Sequence, residues 1–174
     1  APRGGTTPLV FNGRLYLIGG CDDIQCYNDV WYTTDGVTWT QEHTTGTIFS
    51  RRGFHGAAVF NGAMWVLGGR SPESYASYDI WSSTDGVAWT RNNEGLYSSA
   101  SVNAFVAGGF LVVVYDDNVI ATPDGVRWTW LMDFDYLWDP GRASTLFGGR
   151  LWIVGGGDTY EVTNESWSGA LTSQ

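Results

Sequence analysis

The segments DVWYTTDGVTWT at residues 29–40 and DIWSSTDGVAWT at residues 79–90 are near copies of each other. Weaker copies follow them, so that four tryptophans recur in phase along the chain: Trp39, Trp89, Trp128 and Trp167. Their spacing is about 40 to 50 residues, a period typical of solenoids and propellers. The repeat therefore predicts the architecture before any single residue is considered.

A second element repeats in phase with the first. FNGRLYLIGG at 11–20 returns as FNGAMWVLGG at 60–69, as the degenerate AGGFLVVVYD at 107–116 and as FGGRLWIVGG at 147–156. The Gly-Gly pair that ends three of these copies favours close approach of neighbouring backbones, because glycine carries no side chain. Each copy of the repeat thus joins an apolar, glycine-terminated segment to a Trp-containing one.

Within one copy, short apolar runs alternate with Gly, Asn and Asp. The second copy contains four such runs, at residues 55–60, 63–67, 78–82 and 88–91. Their Val, Ile, Trp, Tyr and Phe content is typical of strands. Asn61-Gly62 and Asp85-Gly86 predict two tight hairpin turns with positive φ angles. One copy is therefore predicted to be a four-stranded antiparallel meander, and no helical period appears anywhere in the chain.

Composition narrows the classes of protein. The chain has 174 residues, enough for one domain with a real core, and its aromatic content of 16% argues against disorder. Its net charge is −9, so we expect no nucleic-acid partner, because an acidic surface repels a phosphate backbone. No apolar run approaches the roughly 20 residues of a membrane span, so we expect no membrane insertion.

The order of these elements resembles the kelch repeat of β-propellers: apolar run, Gly-Gly, variable loop, Asp-Val/Ile-Trp, short turn, Trp. The turns also resemble a degenerate Asp-box of sialidase-like propellers. In both families such residues are structural, and here they are Asp35, Asp85, Asp124 and the four repeated tryptophans. The resemblance implies an all-β fold, a β-propeller of four-stranded antiparallel blades. It also implies that this chain contains about four such kelch-like blades. The third copy departs from the pattern, with Tyr115-Asp116 in place of Gly-Gly.

The predicted organisation is a single propeller domain over 1–174. Its blades fall at approximately 1–50, 51–94, 95–135 and 136–174. Three assemblies follow from this count: a compact four-bladed ring, which we favour, an open arc completed by another chain, or a piece of a longer propeller. Homo-oligomerisation or association with further blades is therefore an expectation.

Cys21 and Cys26 are the only cysteines, and they enclose four residues. This spacing is too wide for a redox C-x-x-C, and two ligands alone do not make a zinc site, so we predict a loop-closing disulfide. Asn164 begins the sequon Asn-Glu-Ser, which predicts N-glycosylation in a secretory setting. Together these features predict an extracellular or cell-surface protein.

A catalytic centre is not predicted. The chain contains two histidines, His43 and His55, and we interpret His55 as structural because it falls in the first strand of the second copy. No G-x-S-x-G elbow is present. A propeller-type glycoside hydrolase or oxidase fragment stays the alternative from the enzyme class.

Binding residues are expected in the loops that differ between copies, since loops carry function on a rigid scaffold. The candidate ligand-binding residues are Tyr27, Tyr75, Phe134, Tyr136 and Trp138. The segment that contains Phe134, Tyr136 and Trp138 also contains three carboxylates, Asp133, Asp135 and Asp139. Their spacing loosely matches an oxygen-rich calcium-binding loop, so we name them as candidate calcium ligands. Asp22 and Asp23 form a second, weaker calcium candidate. No other cofactor is expected.

The leading hypothesis is thus a non-catalytic extracellular interaction module. It would bind a protein or a glycan through its propeller loops. A structural subunit of an extracellular assembly is the alternative among non-enzymes.

Overall fold

The computed structural model describes residues 2–94, 102–115, 118–133, 143–148, 150–154 and 166–170. Over these ranges the regular secondary structure is entirely β, as predicted. Fifteen strands are present: β1 (Thr7–Phe11), β2 (Arg14–Ile18), β3 (Val30–Thr33), β4 (Thr40–Gln41), β5 (Gly56–Phe60), β6 (Ala63–Leu67), β7 (Asp79–Ser83), β8 (Thr90–Glu94), β9 (Val102–Ala107), β10 (Phe110–Tyr115), β11 (Asn118–Thr122), β12 (Thr129–Asp133), β13 (Ala143–Phe147), β14 (Arg150–Val154) and β15 (Ser166–Ala170). The described part of the chain contains no helix long and apolar enough to cross a membrane.

The strands form four separate sheets, which we call blades 1 to 4. Blade 1 is β1-β2-β3-β4, blade 2 is β5-β6-β7-β8 and blade 3 is β9-β10-β11-β12, each in sequential order. Blade 4 contributes β13-β14-β15 within the described residues. Every pairing is antiparallel. The prediction of a β-propeller built from about four antiparallel blades is confirmed.

The first turn of blades 1 and 2 follows directly from its sequence. Asn12 and Gly13 have φ of 48° and 74°, and Asn61 and Gly62 have φ of 48° and 72°. Two successive positive φ angles define the type I′ turn, whose twist matches that of the flanking strands. The Asn-Gly pairs therefore set the register of the first two strands, as predicted.

The Asp-Gly pairs behave differently from the prediction. β7 ends at Ser83 and β8 begins at Thr90, so this loop is longer than a two-residue hairpin turn. Gly86 has a φ of 83°, whereas Asp85 is not in the positive-φ region. The carboxylate of Asp85 instead accepts hydrogen bonds from two backbone amides that follow it, at 2.8 and 2.9 Å. The side chain, rather than the backbone angle, organises this wider turn.

The core lies between the blades. In blades 2 to 4, we define the upstream face as the side towards the preceding blade in the chain, and the downstream face as the opposite side. In blade 1, the downstream face is the side towards blade 2, and the upstream face is the opposite side. Because side chains alternate along each strand, every blade has two such faces. One buried cluster joins the downstream face of blade 1 to the upstream face of blade 2: Leu9, Phe11, Tyr16, Ile18, Val30, Phe49, Ala57, Met64, Val66, Trp81 and Trp89.

The next two junctions repeat this arrangement. Blades 2 and 3 share a cluster that includes Phe60, Trp65, Leu67, Leu111 and Val113. Blades 3 and 4 share a smaller one that contains Val112, Val114, Val119 and Leu151. The first strands of successive blades lie side by side, β1 with β5, β5 with β9 and β9 with β13. The chain is thus a row of blades in which each interior junction is an apolar layer.

Candidate binding surface at the loop end

Antiparallel order brings two kinds of connection to one end of the blades. The loops between second and third strands, residues 19–29 in blade 1 and 68–78 in blade 2, share this end with the connection from β4 to β5, residues 42–55. Backbone hydrogen bonds join the three segments, as in the reciprocal pair between Gly53 and Arg70 at 2.9 Å. We call this surface the loop end. It contains both described ligand candidates, Tyr27 and Tyr75.

The loop of blade 1 is closed by the predicted disulfide between Cys21 and Cys26. Inside it, the carboxylate of Asp22 accepts hydrogen bonds from the Tyr27 hydroxyl at 2.5 Å and from two backbone amides at 2.8 and 2.9 Å. The Tyr27 hydroxyl, followed by the amides, lowers the pKa of Asp22 to about 2. Asp22 therefore acts as an internal brace of the loop, which argues against the weaker calcium candidate.

Tyr27 is likewise held in place. The Arg3 guanidinium lies 3.7 Å from the centre of the Tyr27 ring, a cation–π contact, and pairs with the Asp29 carboxylate at 2.5 and 2.8 Å. One face of the ring is thus already covered. Tyr27 therefore supports the loop, and its predicted part in ligand binding stays a prediction.

Tyr75 is open by contrast, with 72% of its surface exposed. Further exposed apolar groups at the same end are Ile24, Phe54 and Tyr78, and the Arg70 guanidinium lies 4.3 Å from the centre of the Phe54 ring. Phe54 has a φ of 59°, which is unusual for a bulky residue, and its backbone amide donates to Gly5 at 2.7 Å. Phe54 and Arg70 were not among the predicted binding residues, because their contact joins two segments that are separate in sequence.

Beneath this surface lies an arginine–aspartate ion pair that occurs twice, with a fully buried arginine in blade 2 and a partly exposed one in blade 1. Arg52 is completely buried and binds Asp79 at 2.6 and 3.1 Å, and the Trp81 indole also donates to Asp79 at 2.7 Å. Arg3 and Asp29 form the same pair in blade 1. Burial raises the pKa of Asp79, but the hydrogen bond and charge of Arg52 outweigh it and hold the pKa below its usual value. The only sequence feature that could have indicated these ion pairs is their position: Arg3 and Asp29 lie at the same points of the repeat as Arg52 and Asp79.

His55 lies next to this pair. It is 1% exposed, and within the described structure neither of its ring nitrogens has a hydrogen-bond partner. Burial, assisted by the charge of Arg52, lowers the pKa of His55 to about 3. The ring is therefore neutral at physiological pH, and it packs close to the blade 1 backbone at Gly19.

The repeated Asp residues lie at the opposite end from the loops. Asp35, Asp85 and Asp124 each accept two backbone amide hydrogen bonds at 2.7 to 2.9 Å. Trp89 is buried between blades 1 and 2, and Trp128 packs against the cluster between blades 2 and 3. These groups build turns and junctions in the described structure.

Several predicted residues lie outside the described part of the chain. They are the side chains of Asp133 and Trp167 and the residues Phe134, Asp135, Tyr136, Trp138, Asp139 and Asn164. Among the described residues, no group of three or more His, Cys, Asp or Glu could hold a metal ion. The calcium loop and the glycosylation site therefore stay predictions.

Comparison with known families adds one finding. The kelch motif model matches residues 2–32, a span that covers β1, β2 and most of β3 in blade 1. Comparison with curated proteins finds no match. The matched motif and the successive antiparallel sheets agree with each other. The chain carries a kelch motif at residues 2–32, and its successive antiparallel sheets are consistent with kelch blades.

Proposed function

We propose that this protein is a non-catalytic interaction module that binds a protein partner through the loop end. The observation that carries the proposal is the exposure of Ile24, Phe54 and Tyr75 at the loop end, where the Arg70 guanidinium lies 4.3 Å from the centre of the Phe54 ring. Aromatic and arginine side chains are enriched at protein interfaces and supply most binding hot spots. Kelch repeats generally serve protein interaction, which supports the same reading.

The scaffold beneath this group favours binding without large rearrangement. The loop of blade 1 is closed by a disulfide, and the Arg3 and Asp22 side chains brace Tyr27 inside it. The backbone pair between Gly53 and Arg70 ties the β4–β5 connection to the loop of blade 2. A surface ordered before binding loses less conformational entropy when a partner docks.

Site-specific photo-cross-linking tests the proposal. A benzoylphenylalanine placed at Tyr75 or Ile24 should capture the same partner protein from the native source. The same group at Val126, which is 69% exposed in the turn at the opposite end of blade 3, should not. Equal capture from all three positions, or capture from Val126 alone, would exclude the loop end as the binding surface.

A glycan is the second candidate partner. The feature that favours it is the exposed Tyr75 ring in a loop that also carries the Glu73 carboxylate. Tyr75 is exposed two positions after Glu73, a combination that suits sugar stacking together with hydroxyl hydrogen bonding. A glycan array with the parent chain and a Tyr75→Ala variant tests this. Binding that the variant loses would favour a glycan, and an array without any signal would leave the protein partner as the proposal.

We also propose an extracellular or cell-surface location. The disulfide between Cys21 and Cys26 supports it, because such bonds persist in oxidising compartments. The protein should be recovered from the native source outside the cell in its oxidised form, with a mass shift on deglycosylation that Asn164→Gln abolishes. Recovery in the cytosol with both thiols free would contradict this location.

A further inference from the structure

The upstream face of blade 1 contains the same positions that blade 2 buries. In blade 2, Val66, Trp81 and Trp89 are 0%, 6% and 7% exposed, because the downstream face of blade 1 covers them. Their counterparts in blade 1 are Leu17, Trp31 and Trp39, which lie at the same points of the repeat and are only partly buried. The motif that forms an apolar junction is present here without its covering blade.

The first strand shows the difference most clearly. Val10 points to the upstream face and is 71% exposed, whereas the equivalent Val59 packs against the junction between blades 1 and 2. Beside it the uncovered face forms a cleft of about 390 Å³, lined by Arg3, Thr6, Leu17, Gly19, Trp31 and Trp39. The Arg3 guanidinium in this lining is already paired with Asp29, so the cleft presents mainly apolar surface.

The downstream face of blade 4 is uncovered in the same way. Phe147 is 74% exposed and Trp152 is partly buried, while their equivalents in blade 2, Phe60 and Trp65, are 4% and 6% exposed. The local geometry is nevertheless already formed. The Trp152 indole donates to the Phe147 carbonyl at 3.1 Å, as the Trp65 indole donates to the Phe60 carbonyl at 3.0 Å.

The two open faces are the two halves of one junction. Every interior junction pairs a downstream face with an upstream face, and blades 4 and 1 each keep one such half exposed in the same structure. Among the described residues, these two faces therefore do not cover each other within one chain. Exposed apolar layers of this kind mark association surfaces, because burial removes apolar area from water.

We propose that the upstream face of blade 1 docks the downstream face of blade 4 from a second copy of this chain. The contact is heterologous, and two of them related by a twofold axis close a ring. Four blades from each copy give about eight, within the usual range of propellers. The interface continues the internal junctions of the chain, with Val10 in the place of the partly buried Val59 and Phe147 in the place of the buried Phe60. Val10 and Phe147, which test this interface, lie outside the loop end, so it stands or falls independently of the partner proposed there.

Sedimentation velocity of the 174-residue chain, from about 1 to 100 µM, tests the proposal. The expected species has twice the 19.1 kDa monomer mass. Val10→Glu and Phe147→Glu each place a charge on one half of the junction, at residues exposed enough to leave folding intact. Each variant alone should be monomeric, and circular dichroism should show the parent spectrum. Val126→Glu, a matched exposed valine outside both faces, should dimerise like the parent.

Mixing the two variants gives the sharpest test. The Val10→Glu chain keeps an intact blade 4 face and the Phe147→Glu chain keeps an intact blade 1 face, so the mixture should form a 1:1 dimer through one junction. A parent that stays monomeric at all concentrations would overturn the proposal. So would a dimer that neither variant weakens, a mixture that stays monomeric, or a mass that grows without limit as concentration rises.

Discussion

The neutral, buried His55 should make the stability of this protein fall as pH decreases. The pKa of His55 is about 3 in the folded chain, against an ordinary value of 6.5. Between pH 6.5 and pH 3, His55 is protonated in the unfolded chain but stays neutral in the folded chain. The free energy of unfolding therefore decreases as pH falls from 6.5 towards 3. Between pH 7 and pH 4.5 the loss is about 3 kcal/mol, at 1.36 kcal/mol per pH unit.

Urea unfolding of the parent and of His55→Leu at both pH values measures this effect. The window stays above the ordinary Asp pKa of 3.8, so the carboxylates near His55 contribute little to the difference. The variant should lose about 3 kcal/mol less than the parent, because leucine cannot be protonated. His43→Leu, at an exposed histidine, should behave like the parent. If the parent and His55→Leu lose the same stability, His55 is not held neutral and the reasoning is refuted.

Three further outcomes follow from the blades. Trp89→Ala should reduce the free energy of unfolding by about 3 to 5 kcal/mol, because Trp89 fills the junction between blades 1 and 2. The equivalent variant Trp39→Ala, in a monomeric background, should reduce it clearly less, because Trp39 is only partly buried. Urea unfolding of both variants makes the comparison. Asp85→Ala should cost about 1 to 2 kcal/mol, because the turn loses its carboxylate bonds to two amides, and an unchanged melting temperature would contradict this. Replacing Cys21 and Cys26 by alanine should cost about 2 kcal/mol for so short a loop, measured against the oxidised parent.

Much of the local structure was predictable because it depends on residues close in sequence. The Asn12-Gly13 pair specifies a type I′ turn by its own backbone preferences. Cys21 and Cys26 are near enough to close a small loop without help from the rest of the chain. The Asp85 turn was only half predicted. Its dipeptide indicated a turn, but the hydrogen bonds of the carboxylate decided its length.

The loop end was harder to predict. The sequence marked the variable loops as candidate binding segments, but the contacts of individual residues depend on neighbours distant in sequence. Arg3 covers one face of the Tyr27 ring, a contact between positions far apart in sequence. Phe54 and Arg70 belong to no recognisable sequence motif. Their side chains meet only because the β4–β5 connection forms backbone hydrogen bonds with the loop of blade 2.

The sequence by itself determined the unit of this protein: the meander, its turns, the disulfide and the two apolar faces of each blade. Only the tertiary structure decided which copies of the same motif are buried. Trp39 and Trp89 share the same motif, but blade 1 covers Trp89 and no described residue covers Trp39 to the same degree. The physical reason is that strand and turn preferences are local, whereas burial is set by whichever surface lies opposite.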